Sequence, residues 1–103
     1  MSELPGFQKR YLRGVGHGLR PVVAIGSNGL TDAVIQKARA ELDAHELIKV
    51  RVSCAREERD ALSQRLAGQT DSVLAGRVGN TALLFRPQPD PDRRRIQLPE
   101  RPD

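Results

Sequence analysis

Aromatic residues are scarce in this chain: two Phe, one Tyr and no Trp among 103 residues. Phe7, Tyr11 and Phe85 are too few to build a recognition surface of stacked rings. Cysteine occurs once, at Cys54, which excludes an intramolecular disulfide and fits a reducing compartment. One Cys and two distant histidines, His17 and His45, do not make an ordinary structural zinc site, so no metal and no cofactor are expected. No run approaches the ~20 apolar residues of a membrane span, and the N-terminus lacks the apolar core of a signal peptide. A soluble cytoplasmic domain without a membrane partner is the starting expectation. Catalytic signatures are lacking too. Gly14-x-Gly16-x-Gly18 has the wrong spacing for a dinucleotide fingerprint, no Walker lysine follows Gly26, and Cys54 has no His near it in sequence. No enzyme activity is expected.

What the chain does have is positive charge, 17 Lys and Arg against 13 Asp and Glu, a net +4. Lysine supplies only Lys9, Lys37 and Lys49; arginine, whose planar fork matches phosphate oxygens, supplies the rest. The charge is segregated. Lys9, Arg10, Arg13, Arg20, Lys37 and Arg39 face only Glu3 and Asp32 in the first forty positions, and acids outnumber bases over the next twenty. A basic working face is the natural consequence.

Hydrophobic periodicity organises the chain into one domain at 7–87, between a flexible N-terminus at 1–6 and an extended Pro/Arg-rich tail at 88–103. Phe7, Tyr11 and Val15 form an apolar helical stripe with Leu12 beside it, and Lys9, Arg10, Arg13 and His17 occupy the other side. Gly14, Gly16 and Gly18 weaken and end that helix. Arg20-Pro21 leads into the buried strand Val22-Val23-Ala24-Ile25. Thr31 is a helix N-cap followed by the stripe Val34, Ile35, Ala38 and Leu42. Residues 48–53 alternate at period two, with Lys49 and Arg51 opposite an aliphatic face. A weaker helix over 57–70 turns Ala61, Leu62 and Leu66 inward, and a β-hairpin turns at Gly79-Asn80. The fold class is therefore α/β or α+β: a single mixed four-stranded sheet packed by three helices, in the order α-β-α-β-α-β-β. The tail has only Ile96 and Leu98 to bury, so any contact with the domain is expected at Ile96-Gln97-Leu98, and its removal is expected to leave the fold intact.

The strongest local feature is the strand–Gly26-Ser27-Asn28-Gly29–helix join. Two glycines allow close backbone approach, and the free N–H groups and dipole of the following helix favour an anion such as phosphate. Alone, a four-residue Gly loop more often means a plain turn. Arg20 before the strand, Lys37 in the next helix and the Lys9, Arg10 and Arg13 stripe strengthen the phosphate reading. Lys49 and Arg51 either extend this surface or pair with Glu41 and Glu46. Arg59 reads as ordinary helix-surface charge. Three functions fit: a nucleic-acid binder, a small phosphate-metabolite-binding protein, or a protein-interaction adaptor.

The strings Leu19-Arg20-Pro21-Val22-Val23, Gly26-Ser27-Asn28-Gly29-Leu30-Thr31, His45-Glu46-Leu47-Ile48-Lys49-Val50, Val78-Gly79-Asn80-Thr81 and Phe85-Arg86-Pro87 together resemble the CRM domain (chloroplast RNA splicing and ribosome maturation), in its stand-alone bacterial YhbY-type form. The resemblance spans about residues 7–87. It implies a fold similar to the C-terminal domain of translation initiation factor 3. It implies a non-catalytic protein that binds structured ribosomal RNA in precursors of the large ribosomal subunit; a monomer is the separate expectation. Gly26, Ser27, Asn28 and Gly29 would meet the RNA backbone, with the basic face of the first helix alongside. Some family members carry a lysine inside this loop; here Ser27-Asn28 stands instead, leaving hydroxyl, amide and backbone donors.

Overall fold

In a computed structural model describing residues 4–102, the chain runs α1 (Gly6–Gly16), β1 (Pro21–Ile25), α2 (Asp32–His45), β2 (Leu47–Val52), α3 (Arg56–Gln69), β3 (Val73–Val78) and β4 (Thr81–Phe85), then a single 3-10 turn (Pro91–Arg93). The sheet order is β1-β2-β4-β3. β1 and β2 are parallel across the α2 crossover, whereas β4 is antiparallel to both β2 and β3. This is the expected α+β architecture, with every element of the predicted order in place. Among the described residues no helix is long and apolar enough to cross a membrane.

Period-two alternation sends the strands' side chains to two faces. On one face Val23, Ile25, Ile48, Val50, Val52, Ala82 and Leu84 meet Ala38 and Leu42 of α2 and Leu66 and Ala67 of α3. The other face carries a smaller cluster, Leu12 of α1 with Leu47, Ala75, Leu83 and Phe85. α1 comes close enough to the sheet for a Cβ at Gly16 to lie 2.6 Å from the Leu83 side chain, so a larger residue there would force Leu83 to shift.

The seating of α1 departs from expectation. Leu12 and Gly16 are its buried positions; Tyr11 and Val15, from the predicted apolar stripe, are about 40% exposed, at 42% and 39%. The contact with Leu83 fixes which side of the helix faces the sheet, and the Phe7–Tyr11–Val15 row is left on a flank. In α3, likewise, Ser63 and Ala67 are buried with Leu66 while Ala61 is exposed. Ser63 is admitted because its hydroxyl donates to the Arg59 carbonyl one turn earlier.

The two ends are more engaged than their composition suggested. Residues 1–3 of the expected flexible start lie outside the described residues, but Leu4 packs against the second cluster and the Pro5 carbonyl accepts from the amides of Gln8 and Lys9. Residues 88–102 run without strand or long helix, as the prolines dictate. They nevertheless lie along the domain as a strap, with Ile96 and Leu98 packed on the α1-side cluster. That packing argues against a segment removable at no cost. Arg86 braces the base of the strap, donating to the carbonyls of Thr70 and Arg39 and pairing with Asp43.

Candidate nucleic-acid interface

Strand register divides the α1 side of the sheet into rows. The lowest, Leu47–Phe85–Val73, lies buried. Next comes Pro21–Lys49–Leu83–Gly76, where Gly16 sits on Leu83 and the stem of Arg13 lies on Gly76. The uppermost, Ala24–Arg51–Thr81–Val78, crosses all four strands. Ala24 and Arg51 are exposed there and Val78 is 68% exposed. This is a bare stretch of sheet with a guanidinium in its middle.

The Gly26–Gly29 loop borders that row, leaving β1 two residues after Ala24. It is a tight turn closed by the Gly29 amide donating to the Gly26 carbonyl at 3.0 Å, with Gly29 at φ +73°. Thr31 caps α2, its hydroxyl accepting from the Val34 amide at 3.2 Å. The amides of Ser27, Asn28 and Leu30 have no acceptor among the described residues. Gly26, Ser27 and Asn28 are exposed, and a Cβ at either loop glycine would meet open space. The rim is held by the Ser53 amide donating to the Ile25 carbonyl and the Val52 amide to that of Asn80. The result is a fixed set of outward donors beside a cationic sheet face, a geometry suited to phosphate oxygens.

The predicted basic residues do not all converge here. Arg13 lies on the sheet face but at β3, the edge strand opposite β1 and the loop, spanning Gly76 with its guanidinium 3.4 Å from the Ala75 carbonyl. Lys9 lies a turn earlier, beside Gly68, Ser72 and Val73 toward the β3 edge, far across the sheet from the loop. Arg10 is on the α1 flank, in a groove of about 500 Å³ shared with Tyr11, Pro99 and Arg101. Arg20 precedes β1 and lines a second groove of about 310 Å³ with Lys49, His45 and Ile96. Lys37 is exposed but bonded to Glu41 at 3.1 Å, so part of its charge is neutralised.

Of the two readings of Lys49 and Arg51, the pairing with Glu41 and Glu46 is excluded by the partners those acids have. Glu41 is taken by Lys37 and His45, and Glu46 by backbone amides of the strap. Lys49 and Arg51 therefore have no acidic partner among the described residues. Their alternation in β2 was the signal that found them; which acids stood nearby was invisible before the fold. Arg59, read as ordinary helix charge, donates to the Cys54 carbonyl and lines a small polar cavity with Arg56, Arg77 and Gly79.

Comparison with known proteins agrees with this architecture. The CRS1 / YhbY (CRM) domain matches residues 4–86. The chain is 39% identical over 87 residues to the probable RNA-binding protein PA4753 of Pseudomonas aeruginosa, covering 84% of each. It is 36% identical over 102 residues to an RNA-binding protein of Haemophilus influenzae, covering 98% of this chain and 100% of that one. The solution structure of the hypothetical protein SAV1595 from Staphylococcus aureus superposes with a TM-score of 0.81 at 32% identity, covering 93% of this chain and 99% of the other.

Proposed function

The chain belongs to the CRS1 / YhbY (CRM) domain family, and from that premise we propose that it binds structured RNA without catalysing a reaction. The relatives' names supply the partner class. The observation that carries the reading is the Gly26–Gly29 loop, whose unpaired amides border the bare Ala24–Arg51–Thr81–Val78 row. Backbone donors and guanidinium groups recognise phosphate and helical shape, and with three aromatics in the chain recognition rests on those rather than on stacked bases. Neither groove along α1 includes a residue of the loop, so a small metabolite enclosed at the glycines is the weaker reading.

The RNA we propose is ribosomal, in precursors of the large subunit, met in the cytoplasm by a monomer. The test is sedimentation of cell extracts through sucrose gradients, with purified protein titrated against large-subunit ribosomal RNA fragments across a salt series. The expected outcome is co-migration with large-subunit precursors that disappears at high salt, and an affinity that falls steeply with salt. Binding to structured RNA without co-migration would retain the RNA reading and remove the ribosomal one. No salt-dependent RNA binding would overturn both.

A further inference from the structure

The strap is fastened in an unusual way. Glu46 follows the last residue of α2 at φ +67°, a left-handed position where glycine is the ordinary helix-ending residue. It is fully buried, although glutamate is almost never so unless paired. Its partners are backbone amides far along the chain: Oε2 accepts from Gln88 at 2.8 Å, and Oε1 from Arg95 at 2.6 Å and Ile96 at 3.0 Å. One carboxylate thus pins both ends of the segment 88–96, and its own backbone carbonyl accepts the Arg86 amide. Inside the pinned segment, Asp90 caps the Pro91–Arg93 turn through the Asp92 amide, and Arg94 donates to the Gln88 carbonyl at 2.8 Å. Arg93 and Arg95 are exposed and have no side-chain partner among the described residues. A backbone strain and a buried charge are both spent on holding an arginine-bearing loop in one shape.

We propose that residues 88–96 form a preformed second phosphate-contacting surface for the same RNA, with Arg93 and Arg95 as its contacts and Glu46 as the positioning residue. This rests on the RNA-binding reading above. The loop belongs to the start of β2, and the Gly26–Gly29 loop lies beyond the end of the parallel strand β1. The two surfaces therefore sit at opposite ends of the sheet, at least about 13 Å apart along the β1 strand alone. Ile96 lines the groove that contains Arg20, His45 and Lys49, which brings the pinned segment beside cations of the sheet face. An RNA backbone that crosses from one end of the sheet to the other would meet Arg51, Lys49 and Arg20 on the way. Pinning the loop in advance removes ordering entropy from the binding step.

The experiment titrates structured ribosomal RNA fragments, across a salt series, with the full chain and with Arg93→Ala/Arg95→Ala, Glu46→Gln and the three changes combined. Arg93→Ala/Arg95→Ala alters exposed side chains and should leave the melting temperature unchanged. It should lower the slope of log affinity against log salt by up to about two, with roughly 0.7–0.9 for each phosphate no longer neutralised. Glu46→Gln puts an amide N–H2 where one backbone donor needs an acceptor, so trypsin should cut within 93–95 several-fold faster while the domain stays intact. Its loss of affinity should be contained within that of the arginine changes, the combined variant binding no worse than Arg93→Ala/Arg95→Ala alone. Wild-type protein that binds RNA, with the arginine variant equal to it in affinity and slope, would overturn the proposal and leave the function standing. Additive losses would overturn the role given to Glu46. Should Glu46→Gln fail to fold, the charge reversal Arg93→Glu/Arg95→Glu decides alone: unchanged affinity refutes the second surface, and a loss steeper than that of Arg93→Ala/Arg95→Ala supports it. Failure of the wild type to bind RNA would overturn the function itself.

Discussion

The two glycines of the Gly26–Gly29 loop are there for different physical reasons, and this separates folding from binding. Gly29 is held at φ +73°, where an added Cβ costs about 1 kcal/mol or more through local strain. Gly26 has no such backbone, and a Cβ on it meets nothing within 4 Å. The fold therefore has no need of glycine at 26, whereas a phosphate seated on the loop amides would. Gly26→Ala should melt within about 0.5 kcal/mol of wild type yet bind structured RNA about tenfold more weakly, the equivalent of one missing charge-assisted hydrogen bond of about 1.5 kcal/mol. Gly29→Ala should lose stability first. Thermal melts beside RNA titrations check both, and a folded Gly26→Ala variant with wild-type affinity would remove this loop from the interface. That a loop stood here was legible in the sequence, because an aliphatic run ends at Ile25 and an N-cap stands at Thr31. Which glycine takes the left-handed position was not, since turn closure decides it. Glu46 was less legible still: nothing in His45-Glu46-Leu47 announces a carboxylate that turns inward to amides more than forty residues away.

The strands and helices were easier to read than the directions they face. β2 declared both its faces by alternation, because one side must bury Ile48, Val50 and Val52 under α2 and α3. α1 misled, since its most apolar row lies on a flank and its buried row contains a glycine, a residue that registers as neutral in any hydrophobic pattern. The contact of Gly16 with Leu83 rotates the helix, and with it the basic stripe: Arg13 reaches the sheet rows, Lys9 goes to the β3 edge, Arg10 to the strap. The basic residues should therefore not be equivalent in binding. Arg13→Ala and Arg51→Ala should each lower the salt slope by roughly 0.7–0.9, and the double variant by about their sum. Lys37→Ala should lower it less, because Glu41 at 3.1 Å already neutralises part of that ammonium's charge and holds it away from a phosphate. A salt series on the four variants, each checked by circular dichroism, decides the order. Equal slopes for Lys37→Ala and Arg51→Ala would show that the sheet row is not privileged over the helix surface.

At the scale of the molecule, the strap closes a core that the domain alone leaves open. The α1-side cluster of Leu12, Leu47, Ala75, Leu83 and Phe85 is edged by Leu4, Leu19, Ile96 and Leu98, so the strap contributes two of the four edging side chains. A chain this small buries only about 60% of its unfolded surface, which makes each cover count. Removal of 88–103 would open that cluster on the strap side and leave the Glu46 carboxylate without its three amide donors, at a residue already strained by its positive φ. The ordering entropy recovered by losing an extended segment offsets part of this cost. The expected net loss is about 2 kcal/mol, or roughly 10 °C in melting temperature for a domain of this size. Unfolding should remain cooperative, because the larger cluster between the sheet and α2 and α3 is untouched. Differential scanning calorimetry of the chain ending at Pro87 checks the magnitude, and binding of an apolar dye to the folded truncated form checks the opened cluster. Within the truncated chain Glu46→Gly relieves the left-handed strain with no strap left to lose, so it should raise the melting temperature; in the full chain the same change should lower it. An equal effect of Glu46→Gly in both backgrounds would mean that the carboxylate and the strap are not coupled.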